Sequence, residues 1–175
     1  KMALKRKNPL MVRQTAHAVW DVPNHPSFSA TSELAEGASY SANNGPIYLP
    51  DGALILDSWY WVETTAVGQD GSDDPTIALG YTGSVAAFIT AIAISDGGDP
   101  WDADATRYGK IGTAEVGSNA STLDTGTQIL MQIERGTKIS ALTGDKELLL
   151  TVAVDGVDEG KIHLFVDYVL TGDLS

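Results

Sequence analysis

The chain has 175 residues, 43 % of them hydrophobic and 19 % charged, enough for one ordinary domain with a core and too apolar for general disorder. Its 11 Lys and Arg face 23 Asp and Glu, a formal charge of -12, which argues against nucleic acid as the main partner because a phosphate backbone must be met by cations. The absence of cysteine excludes a disulfide framework, thiolate metal sites and thiol catalysis.

The charge is unevenly placed. Residues 1–13 carry five cations (Lys1, Lys5, Arg6, Lys7 and Arg13) and no acid, so the remainder holds six cations and all 23 acids, a balance of -17. One reading is a solvated tail; the other is an arm that lies on an acidic neighbour or on another copy of the chain. Ordering such an arm costs roughly 1–2 kcal/mol per residue, which contact with another subunit would offset. No apolar stretch follows the basic start, since Asn8, Pro9, Arg13 and Gln14 intervene, so an export signal is not expected. The most apolar run, Val85 to Ile94, falls far short of the roughly 20 residues that span a bilayer, and no membrane partner is expected.

From residue 14 to 46 no clean period of two or 3.6 is read. Pro23 and Pro26 oppose a continuous helix, and the segment closes on an Asn44-Gly45-Pro46 turn. A segment of this kind suits a chain draped over a surface. Trp20 and Phe28 then either anchor it in a partner's pockets or cap the nearby core. The predicted division is an extended arm and linker over 1–46 and a β-sandwich over 47–175.

The body reads as strands. Ile47–Leu49 is short and apolar, and Pro50-Asp51-Gly52 is a turn signature. Leu54 to Val67 is the longest strand-like run, with Leu54, Leu56, Ser58, Tyr60, Val62 and Thr64 predicted to face the core. Asp57 and Glu63 mark the opposite face as partly wet, and Trp59 and Trp61 stand on it. The pair suits a subunit contact, a sugar platform or a lid over a second layer; a subunit contact is preferred, since tryptophan is enriched at interface centres. Thr76–Tyr81 reads as a further strand. Val85 to Ala91 suits a short helix behind Thr82-Gly83-Ser84, although Ile89, Thr90 and Ile92 also suit a strand. Short strands are predicted near Tyr108–Ile111, over Ile129–Glu134 and from Thr137. Leu148, Leu150, Val152 and Val154 form one face of the next strand, and Ile162, Leu164, Val166, Tyr168 and Leu170 the inward face of the last. Roughly eight strands joined by Gly and Asp turns predict an all-β, antiparallel β-sandwich of jelly-roll type.

The chemistry-bearing residues are sparse. His17, His25 and His163 match no metal-ligand spacing, no Gly-x-Ser-x-Gly elbow occurs, and the glycine-rich stretches lack a P-loop lysine. Acidic loops around Asp70–Asp74, Asp96–Asp104 and Asp155–Glu159 hold oxygen ligands suited to calcium but do not follow the EF-hand pattern, and solvation accounts for them. No enzyme, cofactor or metal site is therefore predicted.

Four stretches carry a resemblance: Leu49 to Trp59, the strand Thr76–Tyr81 followed by Val85-Ala86-Ala87-Phe88-Ile89, the alternating Ile129 to Gly136, and the closing strand Gly160 to Tyr168. Together they resemble small virion structural proteins of tailed bacteriophages, the capsid decoration or cement proteins, over about residues 47 to 170. The resemblance implies a non-enzymatic protein that binds the outer surface of an assembled capsid after synthesis in the host cytoplasm. Its implied partners are the major capsid protein and further copies of itself, as a homotrimer. Lys5, Arg6, Lys7, Arg13, Trp20 and Phe28 would make the capsid-binding arm, and Trp59 and Trp61 the oligomer interface. A tail or head-fibre component and a carbohydrate-binding module, with Trp59, Trp61 and Trp101 as stacking platforms, are the alternatives.

Overall fold

Alternation between apolar and polar side chains needs two sheets to face each other, and the computed structural model shows that arrangement. It describes residues 12–28, 33–68, 75–94, 100–103, 106–109 and 142–170, with the backbone alone at 106–109. The strands, in chain order, are β1 (Gln14–Asp21), β2 (Ala38–Tyr40), β3 (Tyr48–Leu49), β4 (Ala53–Gly68), β5 (Thr76–Tyr81), β6 (Ser84–Ala93), β7 (Thr106–Gly109), β8 (Lys146–Ala153) and β9 (Val157–Leu170). One sheet runs β1-β9-β4-β7; the other runs β2-β8-β5-β6, with β3 also paired to β8. The strand pairings among the described residues are antiparallel, and the topology is that of a jelly-roll-like β-sandwich. No helix among the described residues is long and apolar enough to cross a membrane.

The core lies between the sheets. Ala16, Ala18 and Trp20 of β1, Tyr60 and Val62 of β4 and Ile162, Leu164 and Val166 of β9 meet Ile77 and Leu79 of β5, Phe88, Ile89 and Ile92 of β6 and Leu148, Leu150 and Val152 of β8. The inward faces predicted for these strands hold through most of their length, but Val154, just past the end of β8, and Leu170, the last residue of β9, are exposed. Trp101 closes one end of this core. Its indole N–H donates to the Ile92 carbonyl at 3.2 Å, its ring stacks on Tyr60, and the Tyr60 hydroxyl donates to the Pro100 carbonyl at 2.8 Å. Trp101 is fully buried and offers no sugar platform.

Three expectations change. Residues 14–21 are not linker: β1 pairs with β9 along its whole length, from Gln14 opposite Tyr168 to Asp21 opposite Lys161. Asn43 extends this edge, its backbone N–H donating to the Val19 carbonyl and its side chain bonding both the N–H and the carbonyl of Asp21. Residues 14–46 thus contribute β1 and β2 to the sandwich itself. The long strand β4 does not keep one face throughout. A bulge between Ile55 and Asp57 inserts Leu56, so Ala53 and Ile55 point inward before it and Ser58, Tyr60 and Val62 after it, while Leu54 and Leu56 are half-buried. Residues 85–91 form strand β6, because pairing with β5 satisfies their backbone groups and buries Phe88, Ile89 and Ile92.

Two glycines meet a backbone requirement that a side chain would violate. Gly52 takes a φ of 75° in the Pro50-Asp51-Gly52 turn, which the Ala53 N–H closes onto the Pro50 carbonyl at 3.0 Å. At Gly80 the β6 backbone passes so near that an added Cβ would lie 2.3 Å from the Ser84 carbonyl oxygen. The strands predicted over Ile129–Glu134 and from Thr137 lie outside the described residues, apart from Leu142.

Candidate functional site

The outward face of the β1-β9-β4 sheet collects the side chains that period-two geometry turns away from the core. Register sets them in rows. His17, Phe165 and Trp59 lie opposite one another across the three strands, and Val19, His163 and Trp61 form the next row. Strand β7 continues these rows with Tyr108 and Thr106 at the positions opposite Trp59 and Trp61.

The first row is a ladder of parallel rings. His17 stacks on Phe165 with centroids 4.3 Å apart and planes 3° from parallel, and Phe165 stacks on Trp59 at 5.2 Å and 9°. Trp61 lies tilted against His163 at 4.8 Å. Each indole thus gives one face to a neighbouring ring of its own chain. Trp59 and Trp61 are both half-buried, so part of each remains accessible in a single copy.

Polar groups flank the ladder. His163 is joined to His17 through Nδ1 and Nε2 at 3.0 Å and to Glu63 through its Nε2 at 2.9 Å, and Lys161 donates to the same carboxylate at 3.0 Å. At the opposite end of the face Asp167 is buried, held by Arg13 and by the Thr15 hydroxyl at 2.5 Å. Arg13, expected to serve the arm's contact with a partner, is therefore paired to this chain's own body at the point where residues 1–11 join β1.

Electrostatics make part of this face acid-sensitive. Partial burial, and then the neighbouring His163, hold the His17 imidazole below its ordinary value of 6.5. The unfolded chain consequently takes up this proton before the folded one does. The associated stability is complete above about 6.5 and is lost as pH falls from there through the lower folded value. Hydrogen bonds from Lys161 and then His163 hold the Glu63 carboxylate below 4.5, so its contribution is present above 4.5 and is lost as pH falls through its folded value. Urea midpoints are expected to be flat above about pH 6.5 and to decline in acid. His17→Gln is expected to remove the upper part of that decline; an unchanged pH profile in the variant would refute the assignment.

The remaining predicted residues separate clearly. Trp20 is fully buried in this chain's own core, with its indole N–H donating to the Tyr40 carbonyl at 2.9 Å, so it is not available to a partner. Phe28 is half-buried against the same core. Lys5, Arg6 and Lys7 lie outside the described residues. His25 is buried with both ring nitrogens engaged, by the Ser41 carbonyl at 2.8 Å and the Ser27 N–H at 3.0 Å. Of the acidic loops, Asp70, Asp73, Asp74, Asp96, Asp99 and Asp104 are outside the described residues. Among the described residues no group of three or more His, Asp or Glu side chains gathers around a metal-sized space. The sequence reading missed His17, Glu63, His163 and Phe165 as a unit. The alternation Ala16, Ala18, Trp20, Val22 was the signal that β1 is a strand.

The fold class is thus an antiparallel sandwich with an aromatic and histidine face. No protein-family model matches the sequence and no curated protein matches it. Two solved structures share the fold. A chain of "Cyanophage Pam1 capsid asymmetric unit" matches at TM-score 0.56 and 13 % identity, over 97 % of this chain and 93 % of that one. A chain of "Capsid of Ralstonia phage GP4" matches at TM-score 0.50 and 14 % identity, over 93 % and 86 %.

Proposed function

We propose that this protein is a virion structural protein that binds the outer surface of an assembled phage capsid and stabilises it, in the manner of a decoration or cement protein. The observation that carries this reading is the fold match to chains in two phage capsid structures, which extends over nearly the whole of both chains in each case. The charge asymmetry agrees with it: a basic arm that includes Lys5, Arg6 and Lys7 precedes an acidic body. In this reading the partners are the major capsid protein and further copies of the chain, assembled as a homotrimer around the face that holds Trp59 and Trp61. The carbohydrate-binding alternative loses Trp101, which is in the core, and keeps at most the one face of Trp59 and of Trp61 that is not stacked on Phe165 or His163.

Mass action supplies the mechanism. A protein that binds the finished shell and not the free subunit stabilises the shell by its binding free energy, about 2.7 kcal/mol per site at a free concentration of 100 times Kd. Several arms on one oligomer raise the effective concentration of each further contact, so individually weak arms hold the whole firmly.

The test mixes purified protein with shells of its phage that lack it, and measures occupancy by sedimentation and imaging. The intact protein is expected to coat the shell and raise its melting temperature. Deleting residues 1–11, which leaves the Arg13–Asp167 pair in place, is expected to leave the sandwich folded and to lower occupancy, the loss growing with salt. No binding of the intact protein would overturn the reading. Equal occupancy with and without residues 1–11 would remove the arm from it.

A further inference from the structure

The His17–His163 contact has a geometry that belongs to a shared proton. The ring planes are 13° apart, the centroids are 5.3 Å apart and the facing nitrogens 3.0 Å apart. Two imidazoles meet those three values only when they lie nearly in one plane, edge to edge, with the nitrogen lone-pair axes pointing at each other. A metal ion on the line between these facing lone pairs would need each nitrogen about 2.0–2.1 Å away, and 3.0 Å along that line leaves no room for it. A proton fits. Glu63 as a carboxylate only accepts, so His163 Nε2 carries a hydrogen toward it, His163 Nδ1 is bare, and His17 Nε2 donates to that nitrogen. The outer nitrogen of His17, Nδ1, is then the free end of a three-member chain.

We infer that Glu63, His163 and His17 form a proton-sharing chain that accepts one proton without rearrangement and is broken by a second. The first proton enters at His17 Nδ1 while the Nε2 hydrogen of His17 passes to His163 Nδ1. One proton is taken from solvent, the positive charge rests on His163 beside the Glu63 carboxylate, and both hydrogen bonds survive. On the two rings a second proton has only His17 Nε2 left to occupy. That sets N–H against N–H and cation against cation at 3.0 Å, and His17 must leave its place on Phe165.

The charged neighbours of the three residues lie on the same three strands. On β9, Lys161 shares the Glu63 carboxylate and adds positive charge, while Asp167 is engaged by Arg13 and Thr15 of β1. On β1, Asp21 stands opposite Lys161. On β4, Asp57 stands opposite Asp167, and Trp59 and Trp61 bring no charge. Strand β7 has Tyr108 at the register position across from Trp59. The depression of His17 described above has the same direction. The chain joins β1 to β9 and β4 across the outward face of the sheet. Acid therefore releases a clasp on the face proposed above to be covered in the oligomer, and in that respect alone the inference rests on that reading.

The experiment is a pH titration of the intact protein with 15N-labelled histidine, reading each imidazole nitrogen by NMR between pH 8 and pH 4. At pH 8 His163 is expected to show hydrogen on Nε2 and a bare Nδ1, and His17 the same tautomer. On acidification two steps are expected, separated by more than about one pH unit, with loss of the His17–His163 bond at the lower one. In His163→Gln the midpoint of His17 is expected to rise by at least half that separation. The opposite tautomer at His163, a single shared midpoint for both rings, or a His17 midpoint indifferent to His163→Gln would each overturn the inference. None of these readings involves a capsid, so failure here and failure of shell binding are separate results.

Discussion

Trp20→Ala is expected to destabilise the isolated domain by about 3–5 kcal/mol, enough to consume a large part of the stability of a domain this size. The indole is fully buried in the core between the two sheets, and its N–H is bonded to the Tyr40 carbonyl. Removing it leaves a cavity in a packed interior and takes a hydrogen bond from the Tyr40 carbonyl. Trp20→Phe, which refills much of the volume and loses the hydrogen bond, is expected to cost less than half as much. Urea unfolding measures both. If Trp20 were instead an anchor that fills a partner's pocket, the free domain would keep its midpoint and only attachment would suffer; that result would contradict the burial.

Trp59→Ala and Trp61→Ala are expected to act in the opposite way. Both indoles are half-buried in one copy, and each stacks on a single neighbour, so the free domain is expected to lose only about 0.5–1.5 kcal/mol beyond the area exposed. In the proposed oligomer they lie at the centre of the contact, where truncating a tryptophan commonly costs 2 kcal/mol or more. That corresponds to a weakening of self-association by about 30-fold or more. Sedimentation equilibrium over a dilution series reads it directly. The two variants are expected to dissociate at concentrations where the intact protein stays assembled. A protein that is monomeric throughout, or variants that assemble as well as the original, would remove this face from the interface. The contrast between Trp20 and Trp59 separates tryptophans that hold the fold from those proposed to hold a partner.

The proton-sharing chain links these two levels. His17 is fixed to the sheet by the backbone pairing of β1 with β9, yet its ring lies in the same ladder as Trp59. A change of charge at His17 is therefore felt by Phe165 and, through it, by the tryptophan face. Arg13 contributes at the other end. Bound to the buried Asp167, it sets the place from which residues 1–11 depart, and the arm's remaining cations are those expected to meet a partner.

Much of the sandwich was readable from local pattern. Thr76–Tyr81 is strand β5 with the predicted ends, and Leu148, Leu150 and Val152 and Ile162, Leu164 and Val166 face inward as their alternation required. Such strands have one dry and one wet face, and period two records this within a few residues of chain. The Pro50-Asp51-Gly52 turn was equally local, since only its own φ values and one hydrogen bond are at stake.

What the amino-acid sequence settled without help was the all-β class, the absence of thiol chemistry, and the acidic body behind a basic start. Only the tertiary structure decided that β1 belongs to the sheet, that Leu56 is an extra residue in a bulge, and that His17 meets His163. The physical reason is separation along the chain. The two histidines are 146 residues apart, and their contact depends on the register of β1 against β9, which no short window of residues encodes.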